Sequence, residues 1–162
     1  MPQRARDVMQ TSVVTVRPQL PLNGLEEVLL RHRIHGAPVV EGGRVLGIVS
    51  RSDVVRQLKL EEERLTDSAY YLEPFDADLR TPEDHRQVLE AAAARVAQLR
   101  VCDVMIEDLR SVSPEATLQE VAKVMLEGPV HRVLVMEEGA LRGLISSLDL
   151  LQLFAEGRVS VS

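Results

Sequence analysis

The chain has 162 residues, enough for one domain or for two small units that share a core. Hydrophobic residues make up 45% of the chain and aromatic residues only 2%, so the core must be aliphatic. The net charge of −6 argues against a broad basic surface for nucleic acid, and the single cysteine excludes an internal disulfide and a cysteine-based metal cluster. No apolar run reaches the ~18 residues of a transmembrane helix. We therefore expect a soluble cytoplasmic protein with no membrane or nucleic-acid partner.

The first part of the chain shows strand, helix, hairpin and helix patterns in that order. A β-branched run predicts a short strand, apolar residues at helical spacing predict a helix, and a Gly-Gly pair between two apolar runs predicts a hairpin. In chain order, the predicted elements are a strand at 13–16, a helix from Leu22 to about Arg33 that Gly36 ends, strands at 37–40 and 45–49 around Gly42-Gly43, and a helix after Ser50.

The middle of the chain, 59–101, is predicted to be largely helical. Its first residues are charged and continue the preceding helix, and the sequence Thr81-Pro82 followed by two acids predicts a helix over 82–99 with Thr81 as its N-cap. Between them lies a stretch that we expect to be irregular. Its aromatic residues pin the segment onto the core, or they form a stacking platform or a dimer contact: Tyr70, Tyr71 and Phe75.

The pattern of the first part recurs 96 residues later without a gap. Asp7-Val8-Met9 returns as Asp103-Val104-Met105, and matched positions include the pairs His35/His131, Ser50/Ser146 and Asp53/Asp149. The second copy predicts a helix from Leu118, strands at 133–136 and 141–145, and a last helix through Phe154. The sequence therefore predicts a mixed α/β (α+β) protein with two β-α-β-β-α repeats, at 1–58 and 102–158, joined by the helical segment 59–101.

Several of these motifs resemble those of the CBS domain, the module named after cystathionine beta-synthase. They are Asp-Val-Met, His-Gly-Ala-Pro-Val-Val at 35–40, Gly-Ile-Val-Ser-Arg-Ser-Asp at 47–53, and Gly-Leu-Ile-Ser-Ser-Leu-Asp at 143–149. The resemblance implies a tandem pair, or Bateman module, with pseudo-twofold symmetry and with clefts between the repeats that often bind adenosine-containing ligands. The second copy is similar to repeats in the gamma subunit of AMP-activated protein kinase.

The acid that closes each Ser-x-x-Asp motif is the main candidate for ligand binding. In the family this Asp holds the ribose, which implies that role for Asp53 and Asp149. A carboxylate can accept hydrogen bonds from both hydroxyls of a vicinal diol. The competing interpretation is a helix cap or a first-turn acid. We expect the Asp53 carboxylate to face solvent.

Other matched positions have a structural and a functional interpretation. Ser50 and Ser146 are N-caps or phosphate contacts. Thr15 and Ser111 reach into the cleft in the family, or they are ordinary strand residues. Strand positions 37 and 133 present backbone and apolar surface to an adenine, or they are simply buried. The predicted ligand-binding residues are Thr15, His35, Gly36, Ala37, Ser50, Arg51, Asp53, Ser111, His131, Arg132, Val133, Ser146 and Asp149.

The two predicted sites differ in their cations. His131-Arg132 matches a His-Arg pair that lies near nucleotide phosphates in the kinase subunit, whereas His35 is followed by Gly36. Arg33 and Arg51 are the candidates to compensate. By the family's pattern, Asp53 would share a cleft with His131 and Arg132. The paired histidines have no cysteine or carboxylate cluster beside them, so no metal site is predicted.

The sequence contains none of the common catalytic motifs, so we expect a module that is not an enzyme. The predicted function is regulatory binding of an adenosine-containing nucleotide such as AMP, ADP or ATP, with S-adenosylmethionine or NAD as other ligands and with no required cofactor. The alternative is a structural or dimerisation module with empty clefts. A separate effector protein would receive the signal. Apolar residues on the last helix, with Phe154 at the centre, predict a homodimer, unless that face packs under 59–101.

Overall fold

The computed structural model describes residues 3–72 and 82–158, apart from the side chains of residues 68–72. It has a mixed α+β architecture, as predicted. In chain order the elements are α1 Ala5–Val8, α2 Leu22–Arg31, β1 Gly36–Glu41, β2 Arg44–Ser50, α3 Arg51–Leu72, α4 Pro82–Ala97, α5 Val101–Val104, β3 Ser111–Val112, α6 Leu118–Glu127, β4 Arg132–Glu137, β5 Ala140–Ser146 and α7 Ser147–Ala155.

Both predicted hairpins are present. β1 pairs with β2, and their turn places Gly42 and Gly43 at φ 57° and 77°, in the left-handed region that a tight hairpin turn needs. β4 and β5 pair in antiparallel orientation, and β3 joins β4 in parallel with Ser111 opposite Leu134. The hairpins therefore end at Ser50 and Ser146, each directly before a helix.

The strand predicted at 13–16 is wrong. Only Val16 pairs, through a single parallel bridge to Val39, and the corresponding strand of the second repeat has just two residues. Pro18, which lacks a backbone N–H, follows two residues after Val16. β-branched residues favour a strand, but they form one only where a neighbouring strand can pair with several of them, and of this run β1 pairs with Val16 alone.

The end of the first predicted helix also differs. α2 stops at Arg31, and the chain turns at Arg33, which has a φ of 53°. The N–H of Ile34 then donates to the carbonyl of Leu29 at 3.0 Å, so the helix is closed before Gly36. Gly36 begins β1 instead of ending the helix.

The middle segment is more helical than predicted. α3 extends over 22 residues and its backbone includes Tyr70 and Tyr71, which were expected in an irregular stretch. The predicted second helix is observed as α4, which ends at Ala97. The roles predicted for Phe75 and Thr81 fall outside the described residues. α3 and α4 pack together through Glu61, a buried acid that lies 3.6 Å from the Arg95 guanidinium.

The Asp-Val-Met motifs form two short helices that were not predicted, α1 and α5. In each, the aspartate reaches back to the N-terminus of its own helix. Asp7 accepts from the backbone N–H of Arg4 at 2.8 Å, and Asp103 does the same with Arg100 at 2.8 Å. The repeated motif is therefore a local capping device.

The described residues form two compact units that do not coincide with the two sequence repeats. The first unit contains 3–15, 40–47 and 107–158. In it, α1 of the first repeat packs beside the second repeat, where the N–H of Ala5 donates to the carbonyl of Ala116 at 2.8 Å. The buried core of this unit is Ala5, Val121, Met125, Val133, Val135 and Ile145.

The second unit contains the described residues of 16–39 and 48–106. Here the leading residues of the second repeat complete the first one, because the N–H of Val101 donates to the carbonyl of Leu20 at 2.9 Å. Each unit thus takes its short helix from the other repeat. The core is Val16, Leu22, Leu25, Leu29, Ala37, Val39, Val49, Val96 and Val101, all of them aliphatic as the composition predicted.

Candidate functional site

In the second unit, Asp53 is fixed at the start of α3. Its Oδ2 accepts from both the backbone N–H and the hydroxyl of Ser50, at 2.7 and 2.8 Å. Its Oδ1 accepts from the Arg56 guanidinium at 2.6 Å. An acid in the first turn also interacts favourably with the partial positive charge of the helix N-terminus. The carboxylate is therefore held in one orientation.

The expectation that the Asp53 carboxylate faces solvent is wrong. The side chain is 3% exposed, whereas that of Arg56 is 57% exposed. The hydrogen bonds to Ser50 draw the carboxylate back onto the first turn of the helix, and Arg56, one turn further along α3, lies against its outer oxygen. A carboxylate in this position needs partners for both oxygens, and it has them.

The first unit has a similar arrangement at Asp149, with a different donor on Oδ1. Asp149 Oδ2 accepts from the backbone N–H and the hydroxyl of Ser146, both at 2.7 Å, and the Ser146 hydroxyl accepts from the Asp149 N–H at 3.2 Å. Oδ1 accepts from the side-chain amide of Gln10 at 2.9 Å, so the charged donor of the second unit is replaced by a neutral one. In both units the aspartate has the capping role that the sequence left as an alternative.

The two histidines contribute their backbone carbonyls to these corners. The carbonyl of His35 accepts from the N–H of Arg51 at 3.0 Å, and that of His131 accepts from the N–H of Ser147 at 2.9 Å. Both imidazoles belong to exposed residues. Each histidine thus ties the start of a strand to the start of the helix that carries the aspartate.

Gly36 explains why the first repeat has no counterpart of Arg132. A Cβ at this position would lie 2.9 Å from the carbonyl oxygen of Val49 and 3.1 Å from Cβ of Ser50, which leaves no room for a side chain. In the second repeat, Arg132 occupies the matched position, opposite Ser146 in the β4–β5 ladder. The difference in cations between the two sites therefore has a steric basis.

The structure brings most of the predicted residues together within each unit. In the first unit they lie at one end of the three-stranded sheet: Ser111, His131, Arg132, Val133, Ser146 and Asp149. In the second unit they lie at the matching end of the hairpin: His35, Gly36, Ala37, Ser50, Arg51 and Asp53. Thr15 is exposed and belongs to the first unit, and the side chains of Ala37 and Val133 are buried in the cores. Since Asp53 and His131-Arg132 belong to different units, their shared cleft stays a prediction.

Two residues at these corners were missed by the sequence reasoning, Arg56 and Gln10. The signal for Arg56 was its position three residues after Asp53 on a predicted helix, where opposite charges meet. Gln10 aligns with Ile106 in the repeat, so a polar residue stands where the other copy has an apolar one. The leading segment had no predicted fold, and its contact with the second repeat could not be anticipated.

Other parts of the described residues lie outside the two corners that carry Asp53 and Asp149. A hollow of about 500 Å³ on α3 and α4 is lined by Lys59, Glu62, Glu63, Thr66, Asp67 and His85, none of which was a predicted site residue. Within 3–72 and 82–158, no three His, Cys, Asp or Glu side chains are arranged to hold a metal ion. No helix in the described part of the chain is long and apolar enough to cross a membrane.

Comparison with protein families identifies both repeats. The model of the CBS domain matches residues 5–60 and 101–156. The chain belongs to the CBS domain family. This confirms the family predicted from the sequence motifs of the two repeats, and the matched ranges contain both aspartates and both matched histidines.

Similar proteins cover nearly the whole CBS pair. An uncharacterized protein of Methanocaldococcus jannaschii is 26% identical over 152 residues, which are 91% of this chain and 88% of that protein. Two other relatives are longer, and this chain spans only 23% and 41% of their lengths.

Two solved structures share the fold. The structure of CBSX2 in complex with AMP has a TM-score of 0.68 at 19% identity and covers 96% of this chain and 98% of that one. The CBS domain pair of protein MJ0100, solved with 5′-methylthioadenosine and S-adenosyl-L-methionine, has a TM-score of 0.66 at 15% identity and covers 97% and 99%. At these identities the likeness concerns the fold.

Proposed function

We propose that this CBS pair is a regulatory module that binds an adenosine-containing nucleotide and takes the ribose on Asp53 and Asp149. One observation carries the proposal: in both units, a carboxylate is locked by two hydrogen bonds from the preceding serine, at the end of a hairpin. A vicinal diol is recognised best by an acceptor whose orientation is already set, because less ordering is then required on binding.

The charges near Asp149 favour a ligand that carries phosphate. Arg132 begins β4 beside the hairpin end, directly after His131, and a guanidinium offers paired donors that match phosphate oxygens. We therefore expect AMP, ADP or ATP to bind more tightly than adenosine. The two solved CBS structures contain AMP in one case and S-adenosylmethionine with methylthioadenosine in the other, and adenosine is the part that these ligands share.

The module is proposed to act without catalysis. A change in ligand occupancy would alter a surface that a separate effector protein reads. Free energy for such a change can come only from a difference in ligand affinity between two states of the module.

The test is a thermal unfolding series on the wild-type chain with adenosine, AMP, ADP, ATP, S-adenosylmethionine and NAD. A ligand bound only by the native state adds about 2.7 kcal/mol at a hundredfold excess over its Kd. We expect AMP, ADP or ATP to raise the Tm more than adenosine does. Guanosine, which has the same ribose and a different base, is the control for recognition of the base. If none of the adenosine compounds raises the Tm at millimolar concentration, the proposal fails.

A second function, dimerisation, is supported by a separate surface. Leu148, Leu151 and Phe154 on α7 are 71%, 63% and 59% exposed, and they lie on one face of the helix because they are three residues apart. Leu126 on α6 is 82% exposed. We propose that this apolar stripe on α7 is the contact of a homodimer, since a monomer would leave it in water. Dimerisation is compatible with ligand binding and is also the alternative if no ligand is found.

A further inference from the structure

The acceptor positions of the two aspartates are almost fully used. An ionised carboxylate offers about four lone-pair positions, two on each oxygen. At Asp53, Ser50 takes both positions on Oδ2 and Arg56 takes one on Oδ1. At Asp149, Ser146 takes both positions on Oδ2 and Gln10 takes one on Oδ1. Counting the donors in the described residues, each carboxylate has one lone-pair position left for a further hydrogen bond. A ribose diol has two hydroxyls to donate, so one position is too few.

The donors on Oδ1 are the ones that can be displaced. The backbone N–H groups of Ser50 and Ser146 are fixed at the strand ends, so their bonds to Oδ2 hold each carboxylate at the start of its helix. Arg56 is 57% exposed and is held only through its flexible side chain. The guanidinium is exposed although the carboxylate is buried, so it can return to water when the hydroxyls of a ligand take over its hydrogen bond to Oδ1.

Gln10 is held more firmly than Arg56. The backbone of Gln10 pairs with Leu144, with N···O distances of 2.9 and 3.0 Å in the two directions. The backbone of Gln10 can come this close to β5 because residue 143 is glycine: a Cβ there would lie 2.8 Å from the carbonyl oxygen of Gln10. In the second unit the same bridge is formed by Ile106 and Ile48, and an isoleucine side chain has no donor to offer. The two aspartates therefore receive their third hydrogen bond from different parts of the chain.

We propose that Arg56 and Gln10 compete with the ribose diol for Oδ1 and set the affinity of their sites, Arg56 in a salt-dependent manner and Gln10 in a salt-independent one. The inference rests on the proposed binding of ribose by the two aspartates. When the third donor leaves, Oδ1 can accept both hydroxyls of the diol while Oδ2 keeps the helix cap. Because the Arg56 guanidinium is exposed, salt weakens its attraction to the Asp53 carboxylate and should therefore favour binding of an uncharged ribose ligand at Asp53.

The test is titration of adenosine, which carries no phosphate, into variants that isolate the Asp53 site. In an Asp149→Asn background, we expect Arg56→Ala to lower the Kd about two- to fivefold at low salt. Raising NaCl from about 20 to about 300 mM should lower the Kd of the Arg56-containing protein and leave that of Arg56→Ala unchanged. Arg86→Ala is the matched control, because Arg86 forms the same type of i,i+3 ion pair with Glu83, on α4. Arg56→Lys, which keeps the charge, should retain the salt dependence.

Gln10→Ala, measured in an Asp53→Asn background, should also lower the Kd, with no salt dependence. If Arg56→Ala and Gln10→Ala leave the Kd unchanged or raise it while adenosine binding still depends on the aspartates, the competition is refuted and the proposed function stands. If adenosine binds equally well when both aspartates are replaced, or if it does not bind the wild-type chain, the proposed function and this inference fail together.

Discussion

Replacing Asp53 with alanine removes the acceptor that closes the start of α3, and the structure sets the size of the effect. The backbone N–H of Ser50 loses its partner, the Ser50 hydroxyl loses its acceptor, and Arg56 loses its counter-ion. Hydrogen bonds to a charged group contribute about 1.5–3 kcal/mol, and loss of a capping residue costs about 0.5–2 kcal/mol. The ion pair adds at most about 1 kcal/mol, because Arg56 is largely exposed.

These terms overlap, so we expect Asp53→Ala to lower the free energy of unfolding by about 2–3 kcal/mol. For a chain of this size the Tm should fall by about 5–10 °C. Urea denaturation at pH 7 measures the change, provided that the slope of the transition is the same in both proteins. Glu63→Ala removes an acid from an exposed position on the same helix and controls for net charge. A loss below about 0.5 kcal/mol for Asp53→Ala would show that the hydrogen bonds to Ser50 do not fix this carboxylate.

Three further changes test other parts of the account. Arg132→Ala should weaken binding of AMP much more than that of adenosine, because the guanidinium would contact phosphate; equal losses in calorimetric titrations would contradict this. Phe154→Glu should convert a wild-type dimer into a monomer of 18.0 kDa in light scattering after size exclusion, and a wild-type chain that already runs at that mass would exclude the dimer. Thr117→Ala should cost about 1 kcal/mol at pH 7, because Thr117 caps α6 and its hydrogen bonds lower the pKa of Glu120. The Thr117→Ala variant keeps the backbone N–H that contributes most to the lowered pKa of Glu120, so it loses only the contribution of the hydroxyl. That contribution is present above the ordinary pKa of 4.5 and is lost as the pH falls through the lowered pKa, so the difference in stability between the wild type and Thr117→Ala should narrow in acid without vanishing; a constant difference down to pH 3 would contradict the assignment.

The sequence predicted the elements that repeat strongly and missed those that depend on a distant partner. The Gly42-Gly43 turn, the hairpins and the helices after Ser50 and Ser146 follow from local chemistry, and they are observed. The strand at 13–16 has the right residues for a strand but only one pairing position, which no local pattern reveals. The helix end at Arg31 depends on a single residue at positive φ, Arg33, for which glycine would have been the expected signal.

The candidate site shows the same division. The Ser-x-x-Asp motif indicated both the cap and the carboxylate, because the hydrogen bonds between its serine and its aspartate lie within four residues. The contact of Gln10 with Asp149 joins residues that are 139 positions apart, and it exists because the leading segment packs on the other repeat. Arg56 contacts the other carboxylate oxygen of Asp53, and the sequence does not determine the position of its side chain.

The most direct test of the central claim changes the ligand and leaves the protein intact. Isothermal titration of the wild-type chain with adenosine and with 2′,3′-dideoxyadenosine compares two ligands that share a base and differ in the two ribose hydroxyls. If Asp53 and Asp149 hold the diol, the dideoxy compound loses hydrogen bonds to a charged acceptor worth about 1.5–3 kcal/mol, and its Kd should be at least about tenfold higher. Equal affinities for the two compounds would show that the aspartates do not bind the ribose.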